Sequence, residues 1–163
     1  MTHITLTSRP VEFSDIPAIC GFPASLEELS FMFRNPAFPL TPAALQASIN
    51  ERRDSTVILV NDLVAGFANF YGCTPGESCS IGNVIVDPAQ RGNGVAKFLI
   101  EAMIGIAIEK HRARSIKLVC FNSNVAGLLL YTKLGFKPCA IEERADPAGN
   151  RIAAIRMSLS AGG

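Results

Sequence analysis

The sequence predicts an α/β fold: one central sheet, mixed but mostly antiparallel, with helices on both faces. Three observations carry this. Strand-like and helix-like patterns follow one another as strand, helices, three strands, helix, strand, helix, two strands. Only one strand–helix–strand crossover is present, from residues 78–86 through a long apolar-rich helix to residues 115–121. Hairpin signals flank it on both sides, so a doubly wound parallel sheet, which needs alternation throughout, is excluded.

Residues 4–9 alternate Ile4 and Leu6 with Thr5 and Thr7, an edge-strand pattern stopped by Pro10. Ser14 can cap a short helix through Cys20 that tolerates Pro17 in its first turn. Ser25-Leu26-Glu27-Glu28 is a capping box, and its helix carries Leu26, Leu29 and Phe33 on one side. Thr41-Pro42 opens a third helix, with Thr41 as cap and Leu45 and Ile49 as its apolar face. Residues 56–60 and 63–71 are strands joined by Asn61-Asp62, a two-residue hairpin turn. A polar turn over 72–77 leads to the strand 78–86. A helix over about 95–112 repeats Val95, Phe98, Leu99, Met103 and Ile106 at helical spacing. After the strand 115–121, Asn124 caps a helix through Leu134 that Gly135 closes. Strands over 137–144 and 152–159, joined at Asp146-Pro147-Ala148-Gly149, end the chain.

The chain has 163 residues, of which 48% are apolar, enough for one domain over 1–163 with a substantial core. The formal charge is +1, from 15 basic and 14 acidic residues with no basic stripe, which speaks against nucleic-acid binding. No apolar run approaches a membrane span, and Met1-Thr2-His3-Ile4 lacks a signal-peptide pattern. The five cysteines contain no C-x-x-C pair and fit free thiols in a reducing cytoplasm. Two separated histidines, His3 and His111, give no metal-ligand spacing, so no metal is expected. A Cys–His nucleophile has no motif behind it.

The chemistry concentrates at Val84-Ile85-Val86-Asp87-Pro88-Ala89-Gln90-Arg91-Gly92-Asn93-Gly94-Val95-Ala96. This reads as strand, turn, glycine loop and helix start. Unpaired N–H groups and the helix dipole both favour an anion there, and Gly92 and Gly94 let a phosphate approach the backbone. A Walker loop would need Lys and Ser or Thr after the second glycine, where Val95-Ala96 stand. A dinucleotide fingerprint would need Gly where Lys97 stands and an acid after the next strand, which ends in Cys120-Phe121-Asn122. What remains is Arg-x-x-Gly-x-Ala directly after a strand. An ordinary β–α turn with two glycines is the plainer alternative.

A second stretch bears on that choice. Asn124-Val125-Ala126-Gly127-Leu128-Leu129-Leu130-Tyr131 opens a helix that Leu134-Gly135-Phe136 closes. Taken alone, Asn124 is an N-cap and Tyr131 packs on Leu128 and Leu134. Together with the glycine loop, however, this stretch resembles the two motifs of the GCN5-related N-acetyltransferase (GNAT) family, and the order of elements resembles that family over nearly the whole chain. The resemblance implies a GNAT-like acyl-CoA N-acyltransferase fold and acetyl-CoA as cosubstrate. It implies that the strand of Val84, Ile85 and Val86 parts from the next parallel strand and pairs its main chain with the pantetheine arm. Amides of Arg91, Gly92, Asn93, Gly94, Val95 and Ala96 would hold the pyrophosphate, and Asn124 would hold the arm from the other side. Tyr131 would protonate the departing sulfur, a reasonable role because a thiol has a pKa of roughly 8.5.

One feature of the family is missing. A glutamate often stands in or near the strand before the glycine loop, but Ser78-Cys79-Ser80-Ile81-Gly82-Asn83-Val84 holds no carboxylate. Glu27, Glu28, Glu77 and Glu142 are the acids near the expected acceptor side, and Asn83 could orient a water. Acceptor choice would fall to the early helices and to residues 67–71, which carry Phe22, Phe31, Phe33, Phe38, Phe70 and Tyr71. The expected function is acetyl transfer to the primary amine of a small molecule or peptide. The C-terminal part resembles ribosomal-protein alanine acetyltransferases. A non-catalytic acyl-CoA sensor and a nucleotide-phosphate enzyme are the alternatives. A mean hydropathy of +0.28 and the resemblance suggest a homodimer.

Overall fold

A computed structural model describes residues 3–162; Met1 and Thr2, part of the stretch read above for a leader, lie outside them. The chain runs β1 (Leu6–Pro10), α1 (Ile16–Cys20), α2 (Leu26–Met32), α3 (Pro42–Glu51), β2 (Arg53–Val60), β3 (Leu63–Thr74) and β4 (Ser78–Val86). It continues through α4 (Val95–Glu109), β5 (Ser115–Phe121), α5 (Val125–Lys133), β6 (Lys137–Ala145) and β7 (Arg151–Ser160). Among the described residues these strands form a seven-stranded sheet in the order β1-β2-β3-β4-β5-β7-β6. Every neighbouring pair is antiparallel except β4–β5. That one parallel pair is the crossover expected through α4.

The sheet buries both faces. On one side α4 lays Leu99, Ile100 and Met103 against Ile58, Phe70, Ile81 and Ile116. On the other, α1, α2 and α3 bring Ile19, Leu29 and Leu45 against Val57, Phe67 and Ile85. Each fully buried side chain of this size contributes about 1.5–3 kcal/mol, so the two layers fix β3 and β4 as the rigid centre. The hairpin turn between β2 and β3 has Asn61 at φ 48° and Asp62 at φ 71°, the left-handed pair that a type I′ turn requires. Thr41 accepts from the Ala44 amide and Pro42 opens α3, as the sequence predicts.

Several local expectations shift. Ser14 does not cap α1: residues Phe13–Asp15 form a single 3₁₀ turn, and Asp15 accepts from the Glu12 amide at 2.7 Å. Asp15 is buried, and Arg9 of β1 holds it with two hydrogen bonds of 2.7 and 2.9 Å. Ser25 caps α2 by accepting from the Glu28 amide, but the Glu28 carboxylate does not return to complete the box. It pairs instead with Arg91 at 2.6 Å. The inner face of α2 is Leu29 and Met32 rather than Leu26 and Phe33. β3 runs three residues into the expected turn, to Thr74, and α4 stops at Glu109, with Arg112 at φ 55° turning the chain.

Candidate active site

The parallel pairing of β4 and β5 covers only Ser78–Ser115, Cys79–Ile116 and Ser80–Lys117. Beyond Ser80 the two strands part. A narrow cleft of about 40 Å³ lies in the gap, lined by residues 81–84 of β4, 118–121 of β5, Phe31, Asn124 and Tyr131. Val84, Asn124 and Tyr131, predicted from separate stretches, therefore meet here. A larger surface groove of about 660 Å³ lies near α1, between Arg9, Asp62 and Gln90, and none of the three reaches it.

β4 points straight at the glycine loop. Ile85 buries its side chain on the α1–α3 side and Val86 packs on the α4 side, while both pair with β3. Gly92 at φ 88° and Gly94 at φ 77° occupy the left-handed region, and a Cβ built on either meets nothing within 4 Å. Gly94 is the N-cap of α4 and offers no side chain to its first turn. By contrast α2, α3 and α5 are capped by Ser25, Thr41 and Asn124. The first amides of α4 are thus left for a ligand, and a phosphate fits both the open space and the dipole. Val95 buries its side chain in the core, Ala96 is half-buried, and Asn93 donates its amide to Gln90 Oε1 at 2.9 Å. The Arg91 guanidinium turns away to Glu28.

Asn124 does cap α5: its Oδ1 accepts from the Gly127 amide at 3.1 Å. A Cβ at Gly127 would stand 2.7 Å from Asn124 Nδ2, so the glycine keeps that amide in place. Tyr131 is buried, its ring edge-on to Phe136 at 6.0 Å between centroids. Burial, with the Cys120 thiol beside it, raises the Tyr131 phenol above its ordinary value, so it stays protonated at neutral pH. Cys120 also lines the cleft, and burial pushes its thiol up to about 12. The sequence signal for it is its place in the alternation Ile116, Leu118, Cys120 on the inner face of β5.

No carboxylate lines the cleft. Glu28 is paired with Arg91, Glu142 with Arg144 on β6 and Arg156 on β7, and Glu27 and Glu77 are exposed. Asn83 is not free to orient a water. It sits at φ 52° in a bulge of β4, and its Oδ1 accepts from Ser48 Oγ at 2.6 Å and Asn69 Nδ2 at 2.9 Å. Its own amide donates to the Met32 carbonyl at 2.5 Å. This buried network braces α2 and α3 on the β4 bulge. Arg52, at the end of α3, extends it by donating from Nη1 to Asn69 Oδ1 at 3.3 Å. The guanidinium lies 5.5 Å from the centre of the Tyr71 ring, and it enters none of the ion pairs among the described residues. A Cβ on Gly82, which lines the cleft, would stand 2.6 Å from that Nη1. Of the six early aromatics, Phe31 reaches the cleft and Tyr71 is exposed beside Arg52, while Phe22 and Phe70 belong to the core.

The model of the acetyltransferase (GNAT) family matches residues 23–136. No curated protein matches the chain. Among solved structures, the ribosomal-protein-S18-alanine N-acetyltransferase from Escherichia coli is similar at 26% identity and TM-score 0.74, covering 98% of this chain and 97% of that one. The protein yncA from Salmonella typhimurium, assigned as an acetyltransferase and solved with its cofactor acetyl-CoA, is similar at 20% identity and TM-score 0.77, covering 95% of this chain and 93% of that one. An N-acetyltransferase from Staphylococcus aureus Mu50 gives 21% identity and TM-score 0.77, with 96% and 98% covered. With more than half of its length matched by the family model, and with the uncapped glycine loop and parted strands in place, the chain belongs to the GNAT family of acetyltransferases, which use acetyl-CoA to acetylate amines.

Proposed function

We propose that residues 1–163 form a single N-acetyltransferase domain whose acceptor is a small molecule or peptide carrying an anionic group near its primary amine. The observation behind this reading is the convergence of Val84, Asn124 and Tyr131 on the gap between β4 and β5, on the strand that leads to the uncapped start of α4. Acetyl-CoA, when bound, supplies an activated acetyl thioester. The amides of Gly92, Gly94, Val95 and Ala96 hold its pyrophosphate, since those of Arg91 and Asn93, expected to share that role, donate to the Pro88 and Gln90 carbonyls at 3.4 and 3.3 Å. The main chain of Val84, Ile85 and Val86 and the Asn124 side chain hold its arm. Tyr131 gives its phenolic proton to the departing thiolate. A space of about 40 Å³ admits about one water, so the arm enters as Phe31 and Phe121, 6.4 Å apart across the cleft, separate. Among the described residues no carboxylate lines the cleft, so the amine loses one proton to water before attack, and the second, released from nitrogen as the amide forms, returns through water to the Tyr131 phenolate.

Arg52 supports the acceptor class. Burial lowers its pKa despite the neighbouring Glu51 carboxylate, and a partly buried guanidinium that enters no ion pair among the described residues is stabilised by an anion that takes its free donors. Turnover of acetyl-CoA on pairs of amines with and without a carboxylate, and on an alanine-led peptide, tests both levels through free thiol release. The anionic member should show at least about tenfold higher kcat/KM, a discrimination of about 1.4 kcal/mol. Arg52→Met should remove that preference while leaving acetyl-CoA affinity unchanged. The kcat/KM should rise with pH through the acceptor's own pKa. Turnover on no amine would favour an acyl-CoA sensor; equal rates for both members would remove Arg52 from acceptor recognition.

The same proposal places the protein in the cytoplasm, on its five free cysteines. No helix among the described residues is long and apolar enough to cross a membrane. It also includes a homodimer, supported by exposed Val125 and Leu129 on α5 and exposed Ile141 on the edge strand β6. Light scattering at the monomer mass across micromolar concentrations would reject the dimer.

A further inference from the structure

At the opposite end of β4 from the glycine loop, three side chains with soft or borderline donor atoms meet. Cys73 and Cys79 are direct cross-strand partners in β3 and β4. His111 follows α4, and its carbonyl accepts from the Gly76 amide at 2.9 Å, which seats the β3–β4 turn against the end of that helix. One ring nitrogen of His111 and the two Sγ atoms lie within 4.8 Å of one another. Cys79 and His111 are buried and Cys73 is half-buried.

The surroundings orient the histidine. Asp54, at the start of β2, lies 2.6 Å from His111 Nε2, and Lys110 holds the other carboxylate oxygen. Phe70 packs edge-on to the ring at 5.8 Å. A carboxylate on Nε2 fixes its proton there and leaves the Nδ1 lone pair available, the arrangement that orients metal-binding histidines.

We propose that Cys73, Cys79 and His111 bind one zinc-class divalent ion, with Asp54 orienting His111 and a water in the fourth position. Two thiolates and an imidazole select zinc or cobalt over magnesium or calcium, which take oxygen ligands. Bond lengths of about 2.3 Å to sulfur and 2.0–2.1 Å to nitrogen bring tetrahedral ligand atoms to about 3.5–3.8 Å from one another, so the cluster closes by at most about 1.3 Å. The half-buried Cys73 side gives solvent access to the open position. Binding forms two metal–sulfur bonds and one metal–nitrogen bond and releases the two thiol protons to solvent. The ion would clip the β3–β4 hairpin to the end of α4, independently of the acetyl-transfer cleft.

The test uses the full chain, kept reduced and titrated with Co²⁺. One equivalent should produce thiolate-to-cobalt charge transfer and tetrahedral d–d bands, both removed by Zn²⁺. Cys73→Ser, Cys79→Ser and His111→Ala should each weaken binding at least about a hundredfold, and Asp54→Asn about 10–100-fold. Cys139→Ser, an exposed thiol outside the cluster, should change nothing. In wild-type protein Zn²⁺ should protect one half-buried thiol from alkylation, mapped to Cys73, and a chelator should restore its reactivity. That measurement decides the matter if a variant fails to fold. Absence of the charge-transfer band, a Cys73 left unprotected by Zn²⁺, a Cys73–Cys79 disulfide in protein kept reduced, or equal weakening by Cys139→Ser would each overturn the site.

Discussion

Gly94→Asp is expected to abolish acetyl-CoA binding while leaving the fold intact. The position is the N-cap of α4 at φ 77°, and a Cβ there meets no other atom within 4 Å. Aspartate is among the side chains that tolerate the left-handed region best, and it is a favoured N-cap. Its carboxylate would therefore occupy the first amides of α4, with a dipole interaction of about 0.3–1 kcal/mol offsetting backbone strain of about 1–2 kcal/mol. Those amides are the ones the pyrophosphate needs, and the new charge repels it. In wild-type protein a hundredfold excess of CoA over Kd adds about 2.7 kcal/mol, or about 5–11 °C in Tm for a chain of this size. The variant should show no such shift. Gly92→Ala, at φ 88° with equally open space, should lose less, since it adds strain but no charge. Wild-type affinity in Gly94→Asp would mean that the loop does not hold the phosphates.

What was legible beforehand shares one property: it is local. Thr41-Pro42, Asn61-Asp62, the glycine loop and Asn124 to Gly135 each fix their backbone through neighbours within a few residues, so their chemistry is written in the order of residues. Misplaced features involve a partner from far along the chain. Asp15 displaced Ser14 because Arg9 on the adjacent strand takes its carboxylate. Glu28 left its capping box because Arg91, 63 residues on, is a charged partner closer to hand than the helix amide. The same limit hid the Ser48–Asn83–Asn69–Arg52 network, in which residues 14 to 35 positions apart meet, and the cluster in which His111 reaches Cys73 and Cys79, 38 and 32 positions before it, only after the sheet forms. Burial likewise sorted the aromatics, since period alone does not tell Phe70 in the core from Tyr71 on the surface.

Tyr131→Phe should lower kcat by about 10²–10⁴-fold, equivalent to about 3–5 kcal/mol of transition-state stabilisation. The ring is buried against Phe136, and phenylalanine fills the same space, so stability and the walls of the cleft should hold. What is removed is one proton donor. Proton transfer to sulfur develops as the thiolate leaves, so the loss should appear in kcat while the CoA Kd stays within a few-fold. The measurement requires a known acceptor and a rate-limiting chemical step, because slow product release would mask the effect. Two titratable groups line the cleft, Tyr131 and Cys120, and burial keeps both protonated at neutral pH. Cys120→Ala therefore serves as the comparison and should leave kcat within a few-fold. Full kcat in Tyr131→Phe together with a large loss in Cys120→Ala would move the acid to the thiol. Full kcat in both would assign protonation of the leaving group to water and leave Tyr131 as a packing residue.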